Sequence, residues 1–160
     1  MVAVGDVVDA TVTAVRVFGV FCRHESQDML VLIPETSWIA SFNSCEQFAT
    51  PGDTLTIKIK HIDHVSGKIS ATIKGHHSDP WQTDQLDVGK QYSARVVRYV
   101  ETSDRCENQP AYLIELLPGA YTMLCANGIS LQPDDRVSVT IQSSDSLNHG
   151  VAVTRSEPGR

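Results

Sequence analysis

Residues 54–60 read TLTIKIK and residues 68–74 read KISATIK, two short runs in which apolar and polar residues alternate. Successive side chains of a β-strand point to opposite faces, so Leu55, Ile57 and Ile59 share one face while Thr54, Thr56, Lys58 and Lys60 share the other. Ile69, Ala71 and Ile73 repeat the pattern in the second run. Upstream, DVVDATVTAV puts Val8, Ala10, Val12 and Ala14 on one face and Asp9, Thr11 and Thr13 on the other. Half-buried antiparallel strands follow.

With VFGVFCR and MLVLI these runs make five strands before residue 75. The stretch PETSWIASFNSCEQFATPGD ahead of the fourth has room for short helical turns only. Five strands with so long a third connection predict a small closed barrel of the OB type.

The pattern then recurs. VGDVVDATVTAV at 4–15 is echoed by VGKQYSARVVRY at 88–99, aligning Gly5 with Gly89, Ala10 with Ala94 and Val12 with Val96. PGDTLTIKIKHID at 51–63 is echoed by PDDRVSVTIQSSD at 133–145, aligning Pro51 with Pro133 and Asp63 with Asp145. The offset drifts only from 84 to 82 residues. The predicted fold is therefore all-β, two tandem five-stranded antiparallel OB-type barrels with the second degenerate. Residues 1–77 form the first unit, 78–87 a polar, proline-containing linker and 88–160 the second.

Composition narrows the function classes. The net charge of −6, from 13 basic against 19 acidic residues, disfavours a binder that relies on bulk attraction to polyanions. Any nucleic-acid role must rest on a local surface. No apolar run approaches the roughly 20 residues of a membrane helix, and MVAVGDVVDA lacks the basic head and apolar stretch of a signal peptide, so a cytoplasmic address without membrane association is the expectation. Cys22, Cys45, Cys106 and Cys125 contain no C-x-x-C and are expected to be reduced and mostly buried. His61, His64, His76 and His77 crowd together in sequence but sit in turn-like contexts without a carboxylate at ligand spacing, so solvated turn histidines are expected rather than a metal site. No nucleophile elbow, phosphate loop or helical H-E-x-x-H appears. A non-enzyme without metal or cofactor is expected.

The run VFGVFCR breaks the alternation, because Phe18 and Phe21 are three apart and should face opposite sides of a regular strand. A kink or bulge at Gly19, which has no Cβ, would return both rings to one face. The alternative is that one ring lies in the core.

Residues 4–81 resemble the RNA-binding domain named after ribosomal protein S-one. The resemblance rests on the opening VGDVV, the FGVF second strand, LIPETSW after the third, PGD opening the fourth, then IDHVSGKISATIK and a closing DPW. It implies non-catalytic binding of single-stranded RNA, with Phe18 and Phe21 as a stacking platform on the outer face of the barrel. Asp63 matches the family's acidic residue before the last turn, and Lys68 its basic residue after the turn glycine, here Gly67. Leu32 stands where the family often has histidine, which removes a hydrogen-bonding ring from the middle of the site. Lys58, Lys60 and Lys74 face outward by alternation and are candidates for phosphate contacts, set against a plain role in solubility.

The second unit keeps less. Where FGVF should stand there is VETSDRCENQPAYLIELL, read as a longer polar connection before a strand, and the next long connection shrinks to CANGISLQPDD. Tyr99, Tyr112 and Tyr121, with Arg95, Arg98, Arg136 and Arg155 nearby in sequence, specify no groove. This degenerate copy, 88–157, is expected to be a second RNA contact, or to pack on the first barrel, on the ribosome or on another protein. Trp38 and Trp81 are assigned to packing. The expected function is RNA binding by the first barrel in translation or RNA metabolism. The alternative is a protein-docking adaptor with little RNA affinity.

Overall fold

The computed structural model describes residues 1–156; the last positions expected for the second unit, 157–160, lie outside the described residues. The chain forms two compact units. One comprises Met1–Ser37 and Asn43–Ser78, the other Trp38–Phe42 and the chain from Asp79 onward.

In the first unit β1 (Val7–Arg16), β2 (Gly19–His24), β3 (Gln27–Leu32), β4 (Thr54–Ile62) and β5 (Ile69–Thr72) close into a barrel in the order β1-β2-β3-β5-β4. The alternating runs at 54–60 and 68–74 become β4 and β5, with Ile57, Ile59, Ile69 and Ala71 buried. Val12, Val20, Cys22, Met29 and Val31 complete the interior. Closure is made by one parallel pair, Leu30 of β3 opposite Ser70 of β5, whereas the other ladders are antiparallel. The all-antiparallel expectation is corrected here: β3 reaches β5 through the long connection that carries β4 across, so the two strands run the same way.

The second unit repeats the scheme with β6 (Gln91–Ser103), β7 (Gln109–Leu117), β8 (Ala120–Cys125), β9 (Arg136–Asp145) and β10 (Gly150–Arg155), ordered β10-β9-β6-β7-β8. The aligned residues are equivalent down to single hydrogen bonds. Val12 N donates to Asp53 O and Gly52 N donates to Val12 O, both at 2.8 Å, while Val96 N donates to Asp135 O at 2.8 Å and Asp134 N to Val96 O at 2.7 Å. The turn needs a left-handed residue, supplied by Gly52 (φ 99°) in one copy and by Asp134 (φ 71°) in the other. Asp63 and Asp145 likewise cap equivalent turns, accepting from Val65 N and Ser66 N in one and from Leu147 N and Asn148 N in the other.

The second barrel differs in how it closes. Among the described residues no backbone ladder joins β8 to β10. The segment Trp38–Phe42 fills that seam. Trp38 N donates to Gly119 O (2.9 Å), Ser41 Oγ donates to Tyr121 O (2.8 Å), and on the other side Ala40 N donates to His149 O (2.8 Å). Thr122 Oγ1 adds a direct link to Val151 O at 3.1 Å. Ile39, only 1% exposed, enters the core beside Val96, Ile114, Leu124 and Ile141.

Three expectations give way at this unit. Most of the linker expected at 78–87 belongs to the second unit from Asp79 onward: Leu86 is buried in the same core, Trp81 packs on it, and Trp81 Nε1 donates to Trp38 O at 2.6 Å. The polar connection expected ahead of a strand within 100–117 is shorter than expected, because β6 runs to Ser103 and the strand, β7, starts at Gln109. The four thiols are not all reduced, since Cys106 and Cys125 form a disulfide, leaving Cys22 and Cys45 as buried free thiols. The connection after β6 folds back over β8 and brings together two cysteines that sequence spacing leaves 19 residues apart.

Candidate nucleic-acid interface

The outer face of the first barrel is built where β1, β2, β3 and β5 lie side by side. Register places Ala14 opposite Phe21, Phe21 opposite Leu30 and Leu30 opposite Ser70, one row across four strands. The core-facing residues between them are buried, so alternation turns this row outward. Phe18 joins the row from the turn before β2, and its ring meets that of Phe21 edge to face with centroids 6.0 Å apart. Such pairs contribute about 0.5–1.5 kcal/mol beyond area burial and hold each ring against rotation. Phe18 is 51% exposed and Leu32, opposite Gly19, is 44% exposed.

The physical reason for the shared face differs from a bulge at Gly19. Phe18 lies outside the strand, so period-two alternation does not apply to it, and the ladder shift falls in β1 between Val12 and Ala14. Gly19 serves a close approach. A Cβ there would stand 2.9 Å from both Leu30 Cδ1 and Val31 O. Leu30 therefore leans over the glycine and extends the apolar row. Sequence reasoning did not single out Leu30, although its alternation with Met29 and Val31 was a signal that could have found it.

The polar candidates separate into groups. Lys68, exposed, immediately precedes β5 and has the same parity as Ser70, so it lies on the strand that borders the platform. Asp63 is occupied in its turn; hydrogen bonds from Val65 N and Ser66 N hold its carboxyl below the usual value. Lys60 is ion-paired to Glu35 at 2.7 Å. Burial opposes ionisation of Glu35, but hydrogen bonds from Lys60 and Thr72 outweigh it and hold that carboxyl below its ordinary value. Lys58 is half-buried on β4, between Val7 of β1 and Thr72 of β5. Arg23 and Asp28 pair at 2.7 Å across β2 and β3. The platform is thus apolar at its centre, with Lys68 at its margin.

Cys22 lies on the inner side of the same strand, and burial, with a smaller contribution from Asp28, pushes its thiol up to about 11. Among the described residues no group of three or more His, Cys, Asp or Glu is placed to hold a metal ion. His61, His64 and His76 are exposed and His77 is half-buried, but the turn expectation fails for His61, which lies in β4 opposite Ser70 because the strand runs on to Ile62. No helix among the described residues is long and apolar enough to cross a membrane.

The matching face of the second barrel is covered. Leu113 and Met123 stand where Phe21 and Leu30 stand in the first, and they are 0% and 4% exposed. The turn Asp104–Cys106 lies against β7 and β8, with Ser103 as its N-cap and Cys106 fastened to Cys125. No aromatic platform is exposed on these strands among the described residues.

Comparison with known proteins finds similarity in both units. Residues 2–74 match the model of the S1 RNA binding domain. The small ribosomal subunit protein bS1 of Leuconostoc lactis is 29% identical over 147 residues, covering 91% of this chain and 32% of that protein. The same protein of Staphylococcus saprophyticus is 26% identical over 154 residues, covering 94% of this chain and 39% of its own length. The chain thus spans about a third of the length of the curated relatives it matches. Among solved structures, that of GSP13 from Bacillus subtilis is similar with a TM-score of 0.43 and 22% identity, covering 56% of this chain and 78% of that one. The first unit is thus similar to the S1 RNA binding domain over residues 2–74, and the chain is similar to ribosomal protein bS1 over most of its length.

Proposed function

We propose that the first barrel binds single-stranded RNA without catalysis, and that the chain works in translation or RNA metabolism in the cytoplasm, in association with the ribosome. The observation that carries this reading is the Phe18–Phe21 pair, two rings 6.0 Å apart on an outer face, within the segment that matches an RNA-binding family. Bases stack on such rings whatever their sequence, each contact being worth roughly 1–3 kcal/mol. Leu30 and Leu32 widen the surface, and Lys68 supplies a cation at its border. Asp63 acts through the turn that presents Lys68.

Titration of a fluorescent single-stranded oligoribonucleotide tests it. Phe18→Ala and Phe21→Ala each weaken binding by roughly 5-fold or more while the thermal unfolding curve stays cooperative. Unchanged affinity in both variants overturns the platform.

A docking module is the second reading, favoured by the exposed apolar side chains of Val17, Phe18 and Leu32. Leu32→His separates the two. It adds a donor and a ring to an RNA platform and strengthens binding, whereas in a protein interface it inserts a polar ring into the contact and weakens the partner.

A further inference from the structure

The second barrel carries a feature that the first lacks. Midway along β6, the equivalents of Ala14 and Val15 are Arg98 and Tyr99. They line a cleft of about 500 Å³ closed on its other side by Ser130–Pro133, with Val96 and Tyr112 as its floor. The corresponding cleft of the first barrel, about 370 Å³, is lined by Thr13–Arg16 and by Glu46 and Ala49–Pro51, and holds no aromatic ring.

Tyr99 is 53% exposed, a large ring left open to solvent between two register shifts of the β6–β7 ladder. Its orientation is nevertheless held. Tyr112, opposite it on β7, meets it edge to face at 5.5 Å and 65°. Tyr112 is itself fixed at both ends of its hydroxyl, which donates to Ile129 O at 3.1 Å and accepts from Leu131 N at 3.0 Å. The Tyr99 ring is thus held in a set direction, and Arg98, Ser130 and Gln132 line the same cleft. A flat ring, a cation and hydrogen-bonding groups within one base-sized cleft are the three things a nucleotide needs: a surface for the base, a charge for the phosphate and partners for the base edge.

The geometry points to a second nucleobase-binding site on this chain, formed by Tyr99, Arg98 and the Ser130–Pro133 loop, that takes one nucleotide of a single-stranded RNA. It rests on the RNA-binding reading of the chain but not on the Phe18–Phe21 platform. The row equivalent to that platform is buried at Leu113 and Met123 in the second barrel, so the contact is carried by the exposed Tyr99 of β6 instead.

The test uses the full chain and two oligouridylates, of about 6 and about 12 nucleotides, carrying a photoreactive 4-thiouridine. Tyr99→Ala lowers affinity for the longer oligomer by roughly 5-fold or more with little effect on the shorter one, Arg98→Gln lowers it by less, and irradiation of the wild type cross-links a peptide from 96–99 or 130–133. Unchanged affinity in Tyr99→Ala together with cross-links confined to β2 and β3 overturns the site and leaves the platform standing. Loss on Tyr99→Ala with no loss on Phe21→Ala upholds the site and overturns the platform. An absence of binding by either oligomer overturns both. Because Tyr99 is exposed, its truncation leaves the fold intact, which the unfolding curve of the variant checks.

Discussion

Gly19 lies directly beneath Leu30: a single added Cβ at position 19 would come within 2.9 Å of Leu30 Cδ1 and of the Val31 carbonyl oxygen. Leu30 could swing aside, but the carbonyl belongs to the ladder between β2 and β3 and cannot. Gly19→Ala is therefore expected to destabilise the first barrel by about 1–3 kcal/mol, the usual cost of overpacking, as read by urea denaturation. RNA affinity falls with it, because Leu30 is displaced from the row that holds Phe21. A variant as stable as the wild type contradicts this close approach.

Salt dependence follows from how few cations border the platform. Lys60 is held by Glu35 at 2.7 Å and Lys74 stands past the end of β5 in a 3-10 turn, so Lys68 and Lys58 are the phosphate contacts expected. With roughly two contacts at about 0.7 each, log K falls by about 1.4 per tenfold rise in salt. Lys68→Ala flattens that slope, and Lys60→Ala does not. A slope several times steeper, measured by titration at a series of ionic strengths, points to a basic groove elsewhere.

The Cys106–Cys125 disulfide closes a loop with a sequence separation of 19 and ties the cover of the second barrel to β8. For a loop of this order the chain-entropy contribution is about 3 kcal/mol. Cys106→Ser, or a dithiol reductant, lowers the unfolding midpoint of the second barrel and leaves the first unchanged. Calorimetry, which resolves two transitions, checks this. Insensitivity of both to the reductant shows that the thiols are unpaired in solution.

Ile39 belongs by position to the connection between β3 and β4, yet its side chain lies in the core of the second barrel. Ile39→Ala is expected to cost about 2–5 kcal/mol there. Hydrogen exchange locates the effect: amides of β7 and β8 lose protection, while those of β2 and β3 keep theirs. The reverse distribution contradicts the assignment of Trp38–Phe42 to the second unit.

Several of these features were legible in the chain itself. Alternation in TLTIKIK and KISATIK identifies β4 and β5 because the side-chain period of a strand is a local property of the backbone. The paired aspartates Asp63 and Asp145, and the paired valines Val12 and Val96, reveal the repeat, since each copy must satisfy the same turn and the same ladder ends with similar residues. The motifs around Phe18, Phe21 and Lys68 carry the resemblance of the first unit to an RNA-binding domain.

What the tertiary structure alone decided concerns residues far apart in sequence. Alternation puts Phe18 and Phe21 on opposite faces; they meet because Phe18 stands in a turn outside the strand's period. Glu35 withdraws Lys60 from the candidate surface, and the fold of the β6–β7 connection brings Cys106 to Cys125 and buries Leu113 and Met123. Trp38–Phe42 leaves the first unit to fill the seam between β8 and β10. Each depends on which non-adjacent surfaces remain unsatisfied once the strands have paired. An open seam leaves backbone groups and apolar core to be covered, and the segment that covers them is selected by reach and packing across the whole fold, which no local pattern encodes.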